Sequence, residues 1–224
     1  MDFEPIYLSL KLALITTVIL LLIGIPVAYW LSGKSTMAKI ILEALITMPL
    51  VLPPSVLGFY LLLAFSPNNG FGKWLHEHLN LQLVFSFEGL VLASIIYSLP
   101  FMISPVKSAF GHLPKTLAQA SYTMGKSRWQ TFIYVMLPNI KASIYMAAVL
   151  TFAHTLGEFG VVLMIGGNIP GVTKVASIAI YDEVESLNFS AAHLYAAILL
   201  VVSFCILVTV YLTNKRLSKN RLPI

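Results

Sequence analysis

Long stretches without charged residues divide this chain. Four contain no Asp, Glu, Lys or Arg, and a fifth contains a single glutamate; they cover residues 12–33, 44–72, 89–106, 186–214 and 142–171. A helix needs about 20 apolar residues to cross the hydrocarbon core of a bilayer. Because 58% of all residues are hydrophobic and 10% are charged, too few polar residues remain to cover a soluble domain. The sequence therefore predicts an all-α integral membrane protein and excludes a soluble enzyme or a disordered chain.

The stretches predict about five transmembrane helices in one domain covering residues 1–224. The predicted spans are approximately 6–31, 40–65, 89–110, 143–165 and 190–213, and a segment at about 111–142 joins the third span to the fourth. Because the acidic residues Asp2 and Glu4 precede the first span and no clear small-residue cleavage site follows it, we do not expect a cleaved signal peptide.

The basic residues predict the orientation of the spans. Short cytoplasmic loops of membrane proteins are enriched in Lys and Arg. With the N-terminus outside and the C-terminus inside, 11 of the 14 basic residues fall in inner segments. These are Lys34, Lys39, Lys107, Lys115, Lys126, Arg128, Lys141, Lys215, Arg216, Lys219 and Arg221. The net charge of +5 therefore indicates membrane topology and not nucleic-acid binding.

The segment at 111–142 carries the apolar spacing of two short amphipathic helices. The first has Leu113, Leu117, Ala120 and Met124 on one face, Pro114 in its first turn and Gly125 at its end. The second has Trp129, Phe132, Ile133, Met136 and Leu137 on one face, followed by Pro138. This hairpin either lies on lipid, with Lys115, Lys126 and Arg128 near anionic headgroups, or docks into a groove of a soluble partner.

The hairpin resembles the EAA loop of inner-membrane permeases of bacterial ABC importers. The shared spacing is Gln119-Ala120-Ser121, three residues, Gly125, nine residues, Val135, one residue and Leu137-Pro138. Gln119 stands where the family has glutamate, and Ser121 where it has a second alanine. The resemblance implies that the hairpin couples the permease to an ATPase. The implied coupling residues are Leu117, Gln119, Ala120, Ser121, Met124, Gly125, Leu137 and Pro138.

Four further segments are similar to permeases of the molybdate importer family, whose sulfate and tungstate relatives share parts of them. They are residues 26–31, 48–58, 154–160 and 167–173. The resemblance implies a homodimeric permease in the bacterial cytoplasmic membrane. Two cytoplasmic ATPase subunits and an extracellular molybdate-binding protein would complete the importer, with tungstate or sulfate as alternative substrates. The sequence contains no G-x-x-x-x-G-K-[ST] motif, so we expect ATP and Mg²⁺ to be used by the partner subunit and no cofactor or catalytic residue in this chain.

Breaks and polar residues inside the spans suggest where an anion could pass. Pro53 and Pro54 interrupt the second span and Ser55 follows them, while Thr155 and Glu158 lie within the fourth. These five residues are candidates for the pathway or a gate. Because a carboxylate would repel an anion, we favour a structural or gating role for Glu158 over substrate contact. The neighbouring Gly157 and Gly160 would allow helices to approach closely.

Other functional classes have weaker support in the sequence. A secondary transporter would need ionisable relays within the membrane, for which only His154 and Glu158 are available. A membrane enzyme would need a catalytic grouping, and none emerges. His76 and His78 have no second cluster of ligands beside them, so we expect no metal site.

Overall fold

All regular secondary structure in the part of the chain that the structure describes is helical. The computed structural model describes residues 2–219, with side chains described up to Leu212. In chain order the helices are α1 (Glu4–Leu31), α2 (Met37–Thr47), α3 (Pro54–Phe65), α4 (Gly70–Leu79), α5 (Phe87–Gly111), α6 (Lys115–Thr123), α7 (Arg128–Thr131), α8 (Leu137–Asn139), α9 (Lys141–Leu156), α10 (Gly160–Gly166), α11 (Ala176–Glu185) and α12 (Phe189–Lys219). A 3₁₀ turn, Met48–Leu50, extends α2, and a π-helical turn, Phe132–Met136, joins α7 to α8.

Three helices are long and apolar enough to cross a membrane, namely α1, α5 and the Phe189–Leu212 part of α12. Two bent pairs qualify as well if each is counted as one span. These are Met37–Leu50 with Pro54–Phe65, bent by 114°, and Arg128–Asn139 with Lys141–Leu156, bent by 73°. By length and composition the described residues thus contain three to five candidate spans, and the predicted all-α membrane fold is confirmed. Arg128–Asn139 of the second pair belongs to the predicted hairpin, so only Lys141–Leu156 of that pair falls within the predicted fourth span.

Helices α1, α5 and α9 pack against one another and form the centre of the bundle. One buried apolar cluster joins the first half of α1 to α3, α5, α10 and α11, with Leu12 and Leu90 at its centre. A second joins the last turns of α1 and α5 to α9 and the predicted hairpin, around Met102 and Phe132. The hairpin therefore shares a core with the bundle.

The predicted second span is divided into two helices. Pro53 and Pro54 have no backbone N–H to donate, and Pro53 adopts an extended conformation with φ −56° and ψ 135°. The chain therefore leaves the 3₁₀ turn, bends and begins α3 at Pro54. Residues 40–65 thus do not form one continuous helix.

The predicted fourth span is also divided into two helices, here without a proline. Helix α9 ends at Leu156, and a three-residue break, 157–159, precedes the seven residues of α10. The break contains Gly157 and Glu158, which disrupt the apolar pattern on either side.

Helices α3 and α10 approach each other at glycines. A Cβ atom on Gly160 would lie 2.8 Å from Pro54 Cβ, and one on Gly58 would lie 2.7 Å from Met164 Cβ. By contrast, a Cβ on Gly157 would meet nothing closer than the Ala153 carbonyl oxygen at 3.8 Å. The sequence-based expectation of close approach therefore applies to Gly160 but not to Gly157.

Two helices outside the predicted spans were not anticipated. Helix α4 lies between α3 and α5, and α11 precedes α12. His76 and His78 lie on α4, where His78 Nδ1 is 3.1 Å from the Trp74 carbonyl oxygen and its ring stacks on Trp74. Within residues 2–219 no group of three or more His, Cys, Asp or Glu is placed to hold a metal ion.

Replacing Gly160 with alanine should destabilise the protein, because the new methyl group would overlap Pro54. Overpacking of this kind typically costs about 1–3 kcal/mol. We expect G160A to lower the midpoint of thermal unfolding of the detergent-purified protein, whereas G157A should leave it nearly unchanged. Equal midpoints for the two variants would contradict the packing described here.

Candidate functional site

The predicted hairpin turns sharply at Gly125. Gly125 has φ +77°, in the left-handed region that favours glycine. Its N–H donates to the Tyr122 carbonyl at 3.0 Å, and the N–H of Lys126 donates to the Ser121 carbonyl at 3.1 Å. Helix α6 thus ends in a hydrogen-bonded turn, as the sequence predicted. Pro114 lies one residue before this helix, at its N-cap, and not in its first turn.

The two arms of the hairpin are joined by buried hydroxyl groups. Ser121 Oγ lies 2.9 Å from Thr131 Oγ1, and both side chains are buried. Thr131 donates its hydroxyl proton to the Ser127 carbonyl at 2.9 Å, so Ser121 is the donor to Thr131. Ser127 and Gln130 form a capping box at the start of the second arm. Ser121 therefore holds the hairpin together and does not lie on its outer surface.

Most of the other predicted coupling residues are exposed. Met124 is 72% exposed and Leu117 36%, while Gln119, Ala120, Gly125 and Pro138 are also exposed and Leu137 is half-buried. Trp129, which was not among the predicted coupling residues, is 69% exposed. Its place on the apolar face of the second arm was the sequence signal that pointed to it. Leu117, Met124 and Trp129 are thus exposed apolar side chains of the hairpin, and we call these three residues together the docking face.

Phe132 attaches the hairpin to the bundle. Its ring centroid lies 4.7 Å from that of Tyr29 in α1 and 5.9 Å from that of Phe110 in α5. Leu117 and Gln119 of α6 instead line a cavity of about 550 Å³, whose other walls include Tyr29 at the end of α1 and Phe110 at the end of α5. The second arm therefore provides the rigid contact with the spans.

The candidate gate residues of the second and fourth spans lie close together. Pro53, Pro54 and Ser55 are exposed at the bend between α2 and α3. Gly160, two residues after Glu158, packs against Pro54 and Ser55. The structure therefore brings the two helix breaks side by side.

Glu158 is buried and directed into the bundle. Its exposed fraction is 4%, and Ser94 Oγ of α5 donates to Oε2 at 2.8 Å. Ser177 Oγ of α11 donates to the backbone carbonyl of Glu158 at 2.6 Å. The second carboxyl oxygen, Oε1, has no hydrogen-bond partner. Glu158 therefore ties the break to two neighbouring helices and does not point into open space.

Thr155 takes part in a similar contact one turn earlier. Thr155 Oγ1 and Ser98 Oγ are 3.0 Å apart, and Ser98 Oγ is also 3.0 Å from His154 Nδ1. The His154 ring stacks on Phe101 with centroids 3.9 Å apart. Ser94 was missed by sequence reasoning, although its i, i+4 spacing with Ser98 places both on one face of α5. Together these contacts form a polar seam that joins α5 to α9 and to the break after it, defined by Ser94 and Ser98 of α5, Thr155 of α9 and Glu158 of the break.

A polar cluster in and beside the loop between α10 and α11 was also not predicted from the sequence. Asn168 Nδ2 donates to both carboxyl oxygens of Asp182, at 2.8 and 2.6 Å, and Lys174 Nζ lies 2.6 Å from Asp182 Oδ2. Gly167 and Gly171 have positive φ, and a Cβ on Gly171 would lie 3.2 Å from Glu4 Oε1. These contacts fix the loop between α10 and α11 beside the start of α1.

Comparison with known proteins gives close matches along the whole chain. The molybdenum transport system permease protein ModB of Azotobacter vinelandii is 42% identical, over 96% of this chain and 95% of that protein. The ModB protein of Escherichia coli K12 is 31% identical over 98% and 96%. The sulfate transport system permease protein CysT of the same organism is 29% identical over 88% and 71%.

Solved structures with the same fold are more distant in sequence. A bacterial ABC transporter that imports alginate matches with a TM-score of 0.74 at 16% identity, over 96% of this chain and 80% of that chain. The MetNI methionine ABC transporter matches with a TM-score of 0.71 at 15% identity, over 95% and 94%. The model of the family described as "binding-protein-dependent transport system inner membrane component" matches residues 13–219. This chain is therefore a multi-pass protein of the cytoplasmic membrane and belongs to that family of inner-membrane transport components.

Proposed function

We propose that this chain is the permease subunit of an ABC importer that carries molybdate across the cytoplasmic membrane, with ATP hydrolysed by a separate subunit. The observation that carries the proposal is the coupling hairpin, which exposes Leu117, Met124 and Trp129 while Phe132 anchors it to two spans. An exposed apolar face of this kind fits a groove on a soluble partner. The 42% identity with a molybdenum permease over nearly all of both chains supports the substrate.

The proposed assembly is a homodimer of this chain with two cytoplasmic ATPase subunits and an extracellular molybdate-binding protein. The N-terminus would lie outside and the C-terminus inside. The hairpin, which carries Lys115, Lys126 and Arg128, packs on the last turns of α1 and α5 through Phe132, as expected if that end faces the cytoplasm. Lys215, Arg216, Lys219 and Arg221, also assigned to the inside, lie beyond the residues whose side chains are described.

Import of molybdate against the membrane potential requires an energy source. Moving a dianion inward against a negative-inside potential of 100 mV costs about 4.6 kcal/mol, at roughly 2.3 kcal/mol per charge. Without an energy source, molybdate at equilibrium would therefore be less concentrated inside the cell than outside. ATP and Mg²⁺ would act in the partner subunit, since this chain lacks the phosphate-binding loop. Closure of the ATPase subunits would move the hairpins as rigid bodies and reorient the spans around the two adjoining breaks.

We propose that the pathway runs beside Pro53, Pro54 and Ser55. Thr155 and Glu158 would stabilise its wall from the buried polar seam. Pro53, Pro54 and Ser55 are exposed, whereas Thr155 and Glu158 are buried in the polar seam. Non-helical backbone within a membrane is tolerated where protein covers it or where it lines a water-filled cavity. Glu158 would therefore stabilise the gate from inside the helix bundle and would not contact the anion.

Uptake into proteoliposomes tests the proposed function. The permease, reconstituted with its ATPase subunit and binding protein, should accumulate labelled molybdate only when ATP is enclosed with the ATPase. Unlabelled tungstate and sulfate serve as competitors, because a sulfate permease is also a relative. Accumulation of molybdate without ATP would contradict the proposal and indicate a secondary transporter. Preferential competition by sulfate or tungstate would reassign the substrate.

Gly125→Val should uncouple ATP hydrolysis from transport. A Cβ at Gly125 meets nothing within 4 Å, so the effect arises from the positive φ and not from crowding. A left-handed conformation costs a β-branched residue about 1–2 kcal/mol, enough to shift the turn equilibrium roughly tenfold. Molybdate transported per ATP hydrolysed should fall accordingly.

Gly111→Val is the matched control, because Gly111 also has open space around it but no positive φ. It should retain the wild-type ratio of transport to hydrolysis. Normal coupling in G125V would show that the turn conformation is not needed.

Ser94→Ala should destabilise the break around Glu158. The substitution removes the hydroxyl that donates to the buried carboxyl, and an unsatisfied buried acceptor typically costs about 1–3 kcal/mol. We expect a lower midpoint of thermal unfolding and slower transport. Ser108→Ala, at an exposed serine of the same helix, should change neither. An unaltered midpoint in S94A would argue against a supporting role for this hydrogen bond.

A further inference from the structure

We infer that the ion pair between Glu43 and Lys107 transmits movement of the coupling hairpin to the bend between α2 and α3. Both residues would then be positioning residues for transport, acting on the gate without contacting the anion. The inference rests on the proposed function, because it concerns how ATP hydrolysis in a partner reaches the pathway of this chain.

Lys107 moves with the hairpin. It lies in the last two turns of α5, and the chain passes from the end of α5 at Gly111 directly into α6. Phe110, three residues after Lys107, packs on Phe132 of the hairpin. A displacement of the hairpin therefore displaces the end of α5 that carries the ammonium group.

Glu43 lies on the helix that leads to the bend. It is one turn from the end of α2, and Thr47 Oγ1 donates to its backbone carbonyl at 2.9 Å. The 3₁₀ turn and the bend at Pro53 follow directly, and this turn also contacts α5. A displacement of the Glu43 carboxylate therefore displaces the end of α2 and the 3₁₀ turn, which lead directly into the bend.

Few contacts other than the ion pair hold the middle of α2 against its neighbours. Ile46 is its only buried residue among those described and Leu42 packs half-buried against the second apolar cluster, whereas Met37, Ile40, Ile41 and Leu45 are all more than half exposed. The start of α2 is attached to α1 through Lys39, whose Nζ donates to the Trp30 carbonyl and lies 4.8 Å from the Trp30 ring centroid. The contact between Lys107 Nζ and Glu43 Oε1 thus joins α2 to α5.

The ion pair lies at the ends of two predicted spans. The side chains of Lys107 and Glu43 are 28% and 44% exposed, and both flank charge-free stretches assigned to those spans. A partly exposed pair adds little to stability, but the two opposite charges attract each other and give the contact between the helices a direction. The two helix ends are therefore expected to move together. A contiguous chain of contacts then connects the hairpin, α5, α2 and the bend.

Charge removal and charge exchange test this inference in the complete reconstituted importer. The variants are Glu43→Gln, Lys107→Gln and the exchange E43K/K107E. Each single variant should hydrolyse ATP but transport at least about fivefold less anion per ATP, which is the lower range of coupling between sites. The exchange variant should recover most of the lost ratio, because it restores an attractive pair.

Lys73→Gln is the matched control. It breaks the exposed Lys73–Glu77 pair on α4, where the charged atoms are 3.7 Å apart, and it should not alter the ratio. Unchanged ratios in both single variants would overturn the inference. So would a parallel loss of hydrolysis and transport that the exchange does not restore, because a merely structural contact would behave in that way.

Two further measurements keep the outcome decisive. If the Gln variants do not assemble with the ATPase, Glu43→Asp retains the charge while shortening the side chain. It should lower the ratio, and a wild-type ratio in E43D would overturn the inference. If the wild-type complex carries tungstate or sulfate in place of molybdate, the substrate assignment fails, and the same ratio is measured with the anion that is transported.

Discussion

Backbone hydrogen bonding limits where this protein can interrupt its helices, because the bilayer core has no water to replace a lost bond. At the first break, Pro53 and Pro54 have no N–H groups, and the N–H groups of Val51 and Leu52 donate to the Met48 carbonyl at 3.0 and 3.1 Å. At the second, the Glu158 carbonyl accepts from Ser177. Because Gly160 lets the two breaks touch, a rearrangement at one cannot occur without the other adjusting.

The polar seam between α5 and α9 fixes how these helices face each other. Hydrogen bonds between membrane helices contribute on average only about 0.6 kcal/mol each. Two such contacts, at Glu158 and Thr155, therefore gain little stability compared with the apolar packing around Leu90 and Met102, although removing the donor to the buried Glu158 carboxyl costs more than the bond itself contributes. Their directionality has the larger effect, since a rotation of α5 about its axis would turn Ser94 and Ser98 away from Glu158 and Thr155.

The sequence predicted the parts of the fold that depend on local patterns. Helices α1 and α5 end within two residues of the predicted limits, because a long apolar run bounded by polar residues is a strong local signal. The turn at Gly125 was predicted from another local signal, a glycine that follows the apolar face of a short amphipathic helix. The contacts of Ser94 with Glu158 and of Glu43 with Lys107 join residues 64 positions apart, and no local pattern specifies such pairs. Helices α4 and α11 are short and of mixed polarity, so hydropathy does not identify them.

The internal hydrogen bonds of the hairpin have a consequence for recognition. Ser121, Thr131, Ser127 and Gln130 bond to one another or to the hairpin backbone, and Phe132 fixes the second arm to the bundle. The docking face is therefore already ordered in the isolated chain. A partner that binds a preorganised surface does not incur the conformational entropy cost of ordering it. The area buried on binding can then contribute to affinity directly. The hairpin would keep the same conformation when a partner binds and would transmit the partner's movement as a rigid unit.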